Sequence, residues 1–192
     1  ALLEVYSMLW SETLFLLLLM LFTIAMKQYL ERLEMKWLII SAVLVSLACV
    51  TRYAAIVLIG IGLFLIFFEG KPAWGKRIRC CIYFGIISIL LLAVNLVRNE
   101  MVMHFATGER QKSTSSLLKN MEYFGDVLSD WLLIQRKPAL SITLTGLVLL
   151  IFLVSMLWCY FRRKTRRRYE YIAAATGFFY CLFMLVSATL SR

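Results

Sequence analysis

The chain has 192 residues, 62% of them hydrophobic and only 17% charged, with a mean hydropathy of +0.82. Soluble domains run nearer roughly 45 to 50% apolar and about 25% charged, and one core at 22.3 kDa cannot enclose this much apolar surface, whereas lipid can cover it. The composition excludes an ordinary soluble domain and predicts an all-α, multi-pass transmembrane bundle. A net charge of +10 would suggest nucleic acid in a soluble chain, but here its placement points to the membrane instead.

In chain order, apolar runs lie at about Thr13 to Leu30, Trp37 to Val50, Tyr53 to Phe68, Cys80 to Val97, Ala139 to Phe161 and Tyr171 to Leu190. No basic segment precedes the first run and no small-residue cleavage site follows it, so the start does not read as a signal peptide. The expectation is a single membrane domain over 1–192 that is a piece of a longer chain. A helix needs about 20 residues to cross the hydrocarbon, so four runs read as single spans. The stretch Trp37 to Phe68 holds one charge, Arg52, and is too long for one perpendicular helix and short for two. It splits most naturally into two short helices at Thr51-Arg52-Tyr53, with one long tilted helix as the alternative.

Charge supports the six-span reading. It puts 13 of the 21 basic residues and four of the 11 acids on one face, in the turns around Lys27–Lys36 and Lys71–Arg79 and in the run Arg162 to Arg168. The other face keeps eight bases and seven acids. Cytoplasmic loops are enriched in Lys and Arg, which makes 162–169 cytoplasmic and the long segment 98–139 extracytoplasmic. The basic run is then a topology anchor that can touch anionic headgroups. Lying between two spans, it is not a surface for a duplex.

Within 98–139, the serines and threonine of 113–116 offer N-caps, and Leu117, Leu118, Met121, Phe124, Gly125, Leu128, Trp131 and Leu132 recur at helical spacing. An interfacial amphipathic helix is expected there, ended before Pro138. The preceding stretch Ala106 to Ser113 mixes a glycine, cations and hydroxyls, a composition suited to a phosphate but also common in plain loops. His104 has no partner at metal or triad spacing, and the acids Glu109, Glu122, Asp126 and Asp130 form no obvious catalytic pair. Cys49, Cys80, Cys81, Cys159 and Cys181 form no CxxC and read as small buried hydrophobes, so neither a metal nor a cofactor is expected.

The polar residues left at the extracytoplasmic ends are Glu4, Glu12, Arg52, Tyr53, Asn95, Arg98 and Asn99. Polar groups near hydrocarbon are costly and are functional candidates by default. Arg52 is either an anion ligand or an arginine that snorkels to headgroups or pairs with Glu12 to cap a bend.

Four segments come in a telling order: Ser11-Glu12-Thr13-Leu14-Phe15, then Leu47 to Ala54, then Asn95-Leu96-Val97-Arg98-Asn99, then Thr107-Gly108-Glu109-Arg110. Together they resemble the middle of the GT-C superfamily of membrane glycosyltransferases, which includes protein O-mannosyltransferase-like and lipid A aminoarabinose transferase-like enzymes of bacterial envelopes. The resemblance implies a bacterial cytoplasmic-membrane protein that moves a sugar from a polyprenyl-phosphate donor to an acceptor outside. It implies that the catalytic acid lies in a loop not contained in this chain, which would be inactive alone. Arg52, Arg98, Arg110 and Lys112 would hold the donor phosphate, supported by Glu12, Tyr53 and Asn99. The alternatives are an envelope polysaccharide polymerase or ligase, a transporter half, or a noncatalytic membrane protein. The transporter would be expected to break its spans with Gly or Pro, whereas Pro72 and Pro138 both lie between runs.

Overall fold

A computed structural model describes residues 2–69, 73–103, 116–132, 137–161 and 168–190, with side chains over 11–68, 73–102, 116–132, 137–161 and 170–187. Every element among the described residues is helical. The helices are α1 (Leu2–Arg32), α2 (Met35–Thr51), α3 (Ile56–Glu69), α4 (Trp74–Met103), α5 (Leu117–Trp131), α6 (Pro138–Phe161) and α7 (Arg168–Leu190), and a 3₁₀ turn, Tyr53–Ala55, precedes α3. Four are long and apolar enough to cross a membrane: Ser11–Arg32, Trp74–Val102, Pro138–Phe161 and Glu170–Ser187. The chain divides into two compact units, Ala1–Gly108 and Glu109–Arg192.

In the first unit, α1 turns directly into α2. Leu33 takes the left-handed conformation (φ 58°) and its N–H bonds the Tyr29 carbonyl at 2.7 Å, closing the helix as a glycine usually does. The two helices run antiparallel. Phe15, Leu18, Phe22, Ala25, Met26 and Tyr29 make one buried stripe on α1, and α2 buries Leu38, Ser41, Ala42, Val45, Ser46, Ala48 and Cys49. Most of those α2 side chains are small, which lets α2 fit between α1 on one side and α4 on the other.

The break in the 32-residue apolar stretch falls at Arg52, whose backbone is extended (φ −146°, ψ 125°). The Arg52 N–H still bonds the Ala48 carbonyl, ending α2, and its own carbonyl accepts from Ala55 N–H, starting the turn. The chain therefore reverses without Gly or Pro. Its two products, at 1.5 Å per residue, are helices about 20 to 26 Å long. Returning, α3 packs mainly on α4 rather than on α2. Gly62 sits against the Phe84 ring, and the Arg77 guanidinium reaches the Phe67 carbonyl at 3.2 Å. Leu91 N–H reaches Ser46 Oγ at 3.2 Å, so α4 runs beside α2 and against α3. The helix begins six residues before the apolar run at Cys80, because Lys76, Arg77 and Arg79 are good helix formers, with Lys76 and Arg79 pointing outward and Arg77 toward α3.

Outward faces are as apolar as inward ones. Leu14, Leu17, Leu21 and Ile24 on α1, and Ile82, Ile86, Leu90, Val94 and Val97 on α4, are exposed in continuous stripes, the pattern of helices whose solvent is lipid.

In the second unit, Ser116 caps α5 by accepting from Lys119 N–H. The expectation is an amphipathic helix lying in the interface plane. The helix forms, and it lies antiparallel along the first turns of α6 and also touches α7. The seam is small and polar: Ser141 donates to Asp126 Oδ1 (2.6 Å), Thr145 to the Met121 carbonyl (2.7 Å), and Asn120 to the Leu185 carbonyl (3.3 Å). At its centre Gly125 is buried, and a Cβ there would overlap the Ser141 backbone.

Two outcomes follow for unfolding of the whole chain in detergent, followed by helicity. Gly125→Ala is expected to cost about 1–3 kcal/mol because the obstructing atoms are backbone and cannot rotate away, whereas Gly146→Ala, where a Cβ meets nothing within 4 Å, is neutral or stabilising. Leu33→Gly is expected to stabilise the first unit by about 1 kcal/mol by removing the left-handed penalty.

Candidate functional site

The reversal at Arg52 gathers one end of the first unit. At this end α1 supplies Glu12, the α2 terminus supplies Arg52, the 3₁₀ turn supplies Tyr53, and the last turns of α4 supply Arg98 and Asn99. Arg52 Nη1 lies 3.0 Å from Glu12 Oε1, joining residues 40 positions apart. Both side chains keep water access, at 35% and 56% exposure respectively. Asn99 Nδ2 donates to the Tyr53 hydroxyl oxygen at 3.2 Å, tying α4 to the turn. Tyr53 is then left with its own O–H to donate elsewhere. Arg98 is exposed, one position before Asn99 and so about 100° further round the helix.

Five of the seven residues singled out from the sequence thus belong to one end of one unit, and four of them are joined in two pairs. Arg110 and Lys112 lie outside the described residues, as do His104 and the run at 162–167. Among the described residues no three His, Cys, Asp or Glu side chains come close enough to hold a metal ion. All five cysteines are free thiols.

The arrangement balances charge locally. Glu12 neutralises Arg52, and the Tyr53–Asn99 pair is neutral, so Arg98 carries the net positive charge of the described cluster. Its donors are a guanidinium, a phenol and an amide, the set that holds phosphate or carboxylate oxygens. It has no nucleophile paired with a base.

Reading the sequence missed two features. The Tyr53–Asn99 bond depends on α4 and the turn ending at the same level, which no local pattern encodes. The seam of Asn120, Gly125, Asp126, Ser141 and Thr145 did leave a signal: Ser141 and Thr145 sit four apart inside an apolar run, where hydroxyls mark a helix contact.

Comparisons with family models, with curated proteins and with solved structures find no match to this chain.

The Glu12–Arg52 pair is expected to be weak. A double-mutant cycle with Glu12→Gln and Arg52→Gln should give a coupling of about 0.5–1 kcal/mol that shrinks as salt is raised. A coupling several times larger and indifferent to salt would mean the pair is shielded from water, against the exposure seen here.

Proposed function

We propose that this chain is part of an integral-membrane glycosyltransferase of the GT-C type, which moves a sugar from a polyprenyl-phosphate donor to an extracytoplasmic acceptor. The observation that carries the reading is the meeting of Glu12, Arg52, Tyr53 and Asn99, from three separate segments, at the end where the resemblance requires a donor site.

On this reading six helices cross a bacterial cytoplasmic membrane: α1 to α4, α6 and α7. The Arg52 end faces outward, the basic turns face the cytoplasm, and α5 lies at the outer interface against α6. An acceptor hydroxyl oxygen attacks the anomeric carbon, the bond from that carbon to the phosphate oxygen breaks, and the electron pair stays on the phosphate. The acceptor proton passes to a base supplied from outside this chain. Negative charge grows on the departing phosphate, and fixed cations stabilise it as it develops. Arg98 and Arg52 are the described cations for that work, with the Tyr53 O–H and the Asn99 amide as orienting donors. The resemblance also assigns Arg110 and Lys112 to the donor phosphate, and both lie outside the described residues.

A second reading draws on the Glu12–Arg52 contact itself. A pair already closed satisfies Arg52 without any ligand, as a tie that caps the reversal in a noncatalytic membrane protein. The two readings separate by charge exchange in the complete protein, assayed for transfer from a polyprenyl-phosphate sugar. Arg52→Ala is expected to lower turnover on the order of 10²-fold, and the exchange Glu12→Arg with Arg52→Glu should stay equally slow although the pair is rebuilt. Recovery of turnover in the exchange variant would make Arg52 a structural tie, and normal turnover in Arg52→Ala would remove it from the site.

A further inference from the structure

The opposite end of the first unit carries a different surface. Along α4, Arg77 lies about 33 Å from Asn99, close to the thickness of a bilayer's hydrocarbon. There the turn from α3 to α4 brings aromatic rings and cations together. Phe67 and Trp74 meet edge to face at 5.3 Å, and the Arg77 guanidinium sits over the Trp74 ring at 5.8 Å while bonding the Phe67 carbonyl. These contacts fix the rings at the tip. Trp74 and the adjoining Phe68 are nevertheless 64% and 61% exposed, among the most open large side chains of the unit.

The charges around the rings are uneven. At the neighbouring α1–α2 turn, Lys27 lies 4.0 Å from Glu31 and Lys36 lies 2.8 Å from Glu34, so those cations are compensated. Lys76 and Arg79 are exposed, no acid lies in the first turn of α4, and among the described residues neither side chain has an ion pair. From Ile78 onward the outward face of α4 is apolar, through Ile82 and Ile86. Moving along one helix, the surface therefore passes from exposed cations and an indole to continuous aliphatic side chains. That is the profile of the boundary between headgroups and acyl chains, with tryptophan at the level where its ring is favoured.

We propose that this end is a docking surface for anionic phospholipid headgroups, with Lys76 and Arg79 drawing the lipid phosphates, Trp74 and Phe68 beside them at the interface, and the aliphatic face from Ile78 onward among the upper acyl carbons. Arg77 holds the indole in place and is a positioning residue. The choice of an anionic lipid over a zwitterionic one rests on two exposed cations that have no ion pair among the described residues and no acid in the first turn of their own helix. A zwitterionic headgroup brings its own cation. The inference stands apart from the transferase reading, since it concerns the other end of the unit and needs no donor.

The test reconstitutes the whole chain in phosphatidylcholine vesicles that contain, at equal mole fraction, either phosphatidylglycerol or phosphatidylcholine brominated high on its acyl chain. Quenching of Trp74 is read as the difference between the native chain and Trp74→Phe, a mild change at so exposed a position. Brominated phosphatidylglycerol is expected to quench Trp74 as though enriched about five-fold beside it, and in the variant Lys76→Gln with Arg79→Gln the preference should fall toward unity with Trp74 still quenched by both lipids. Equal quenching by the two lipids in the native chain overturns the proposal. So does a preference that survives the double variant, because the cations responsible then lie elsewhere. Absence of quenching by either lipid overturns it as well, because something other than lipid then covers this end.

Discussion

An arginine inside hydrocarbon must find a partner or a route to water, and in this chain that constraint falls on Arg52, the one charge in the 32-residue stretch from Trp37 to Phe68. The structure meets it by ending α2 at Thr51, extending the backbone through Arg52 and turning back, so that the guanidinium stays at the tip of the unit beside Glu12. Much of the first unit follows from that reversal. Two short helices replace one long one, α2 is held between α1 and α4, and α4 runs beside α3 in the opposite sense. Because α4 ends where α2 ends, Asn99 meets Tyr53. The cluster at this end is a product of topology as much as of side-chain chemistry.

Both units use the same device to hold their helices. Apolar side chains gain little by leaving lipid for another helix, so association depends on close approach and on hydrogen bonds made across it. In the first unit the small side chains of α2 and Gly62 against Phe84 provide the approach. In the second, Gly125 lets α5 touch the Ser141 backbone, and three side-chain bonds from Ser141, Thr145 and Asn120 close the contact. Each of those three polar groups is satisfied inside the unit, as a low-dielectric surrounding requires. The N-terminal and C-terminal ends of α5, at Leu117, Leu118 and Trp131, keep exposed apolar side chains that its packing does not use.

The parts of this fold that were legible beforehand are those set by one residue's immediate neighbours. Apolar runs marked the helices, Arg52 marked the reversal although no Gly or Pro stands there, and the serine cluster marked the cap at Ser116. Periodicity could not say what a face packs against. Met121, Phe124 and Leu128 share a side of α5, but whether that side meets lipid or α6 depends on Gly125 and Ser141, 16 residues apart. The order of helices was hidden for the same reason: nothing local tells α3 to pair with α4 and leave α2. Of the candidate site, the pairing of Glu12 with Arg52 was foreseen as one of two roles for Arg52. The Tyr53–Asn99 bond, which needs two distant helix ends at one level, was not.

The closed Glu12–Arg52 pair bears on how an anion could be held at this end. A phosphate approaching Arg52 either shares the guanidinium with Glu12 or displaces the carboxylate, and in both cases it meets a negative charge within a few ångströms of its target. Half-exposed and in high dielectric, the pair is cheap to open, so displacement is not prohibitive, but Arg52 contributes less attraction than its formal charge suggests. Arg98 has no ion pair among the described residues, and Tyr53, with its oxygen occupied by Asn99, can still donate its proton. On the transferase reading proposed above, the first contact of the donor phosphate would fall to Arg98 and Tyr53. On that reading Arg52 would be drawn in only as Glu12 gives way, and Glu12 would set how tightly the donor phosphate is held.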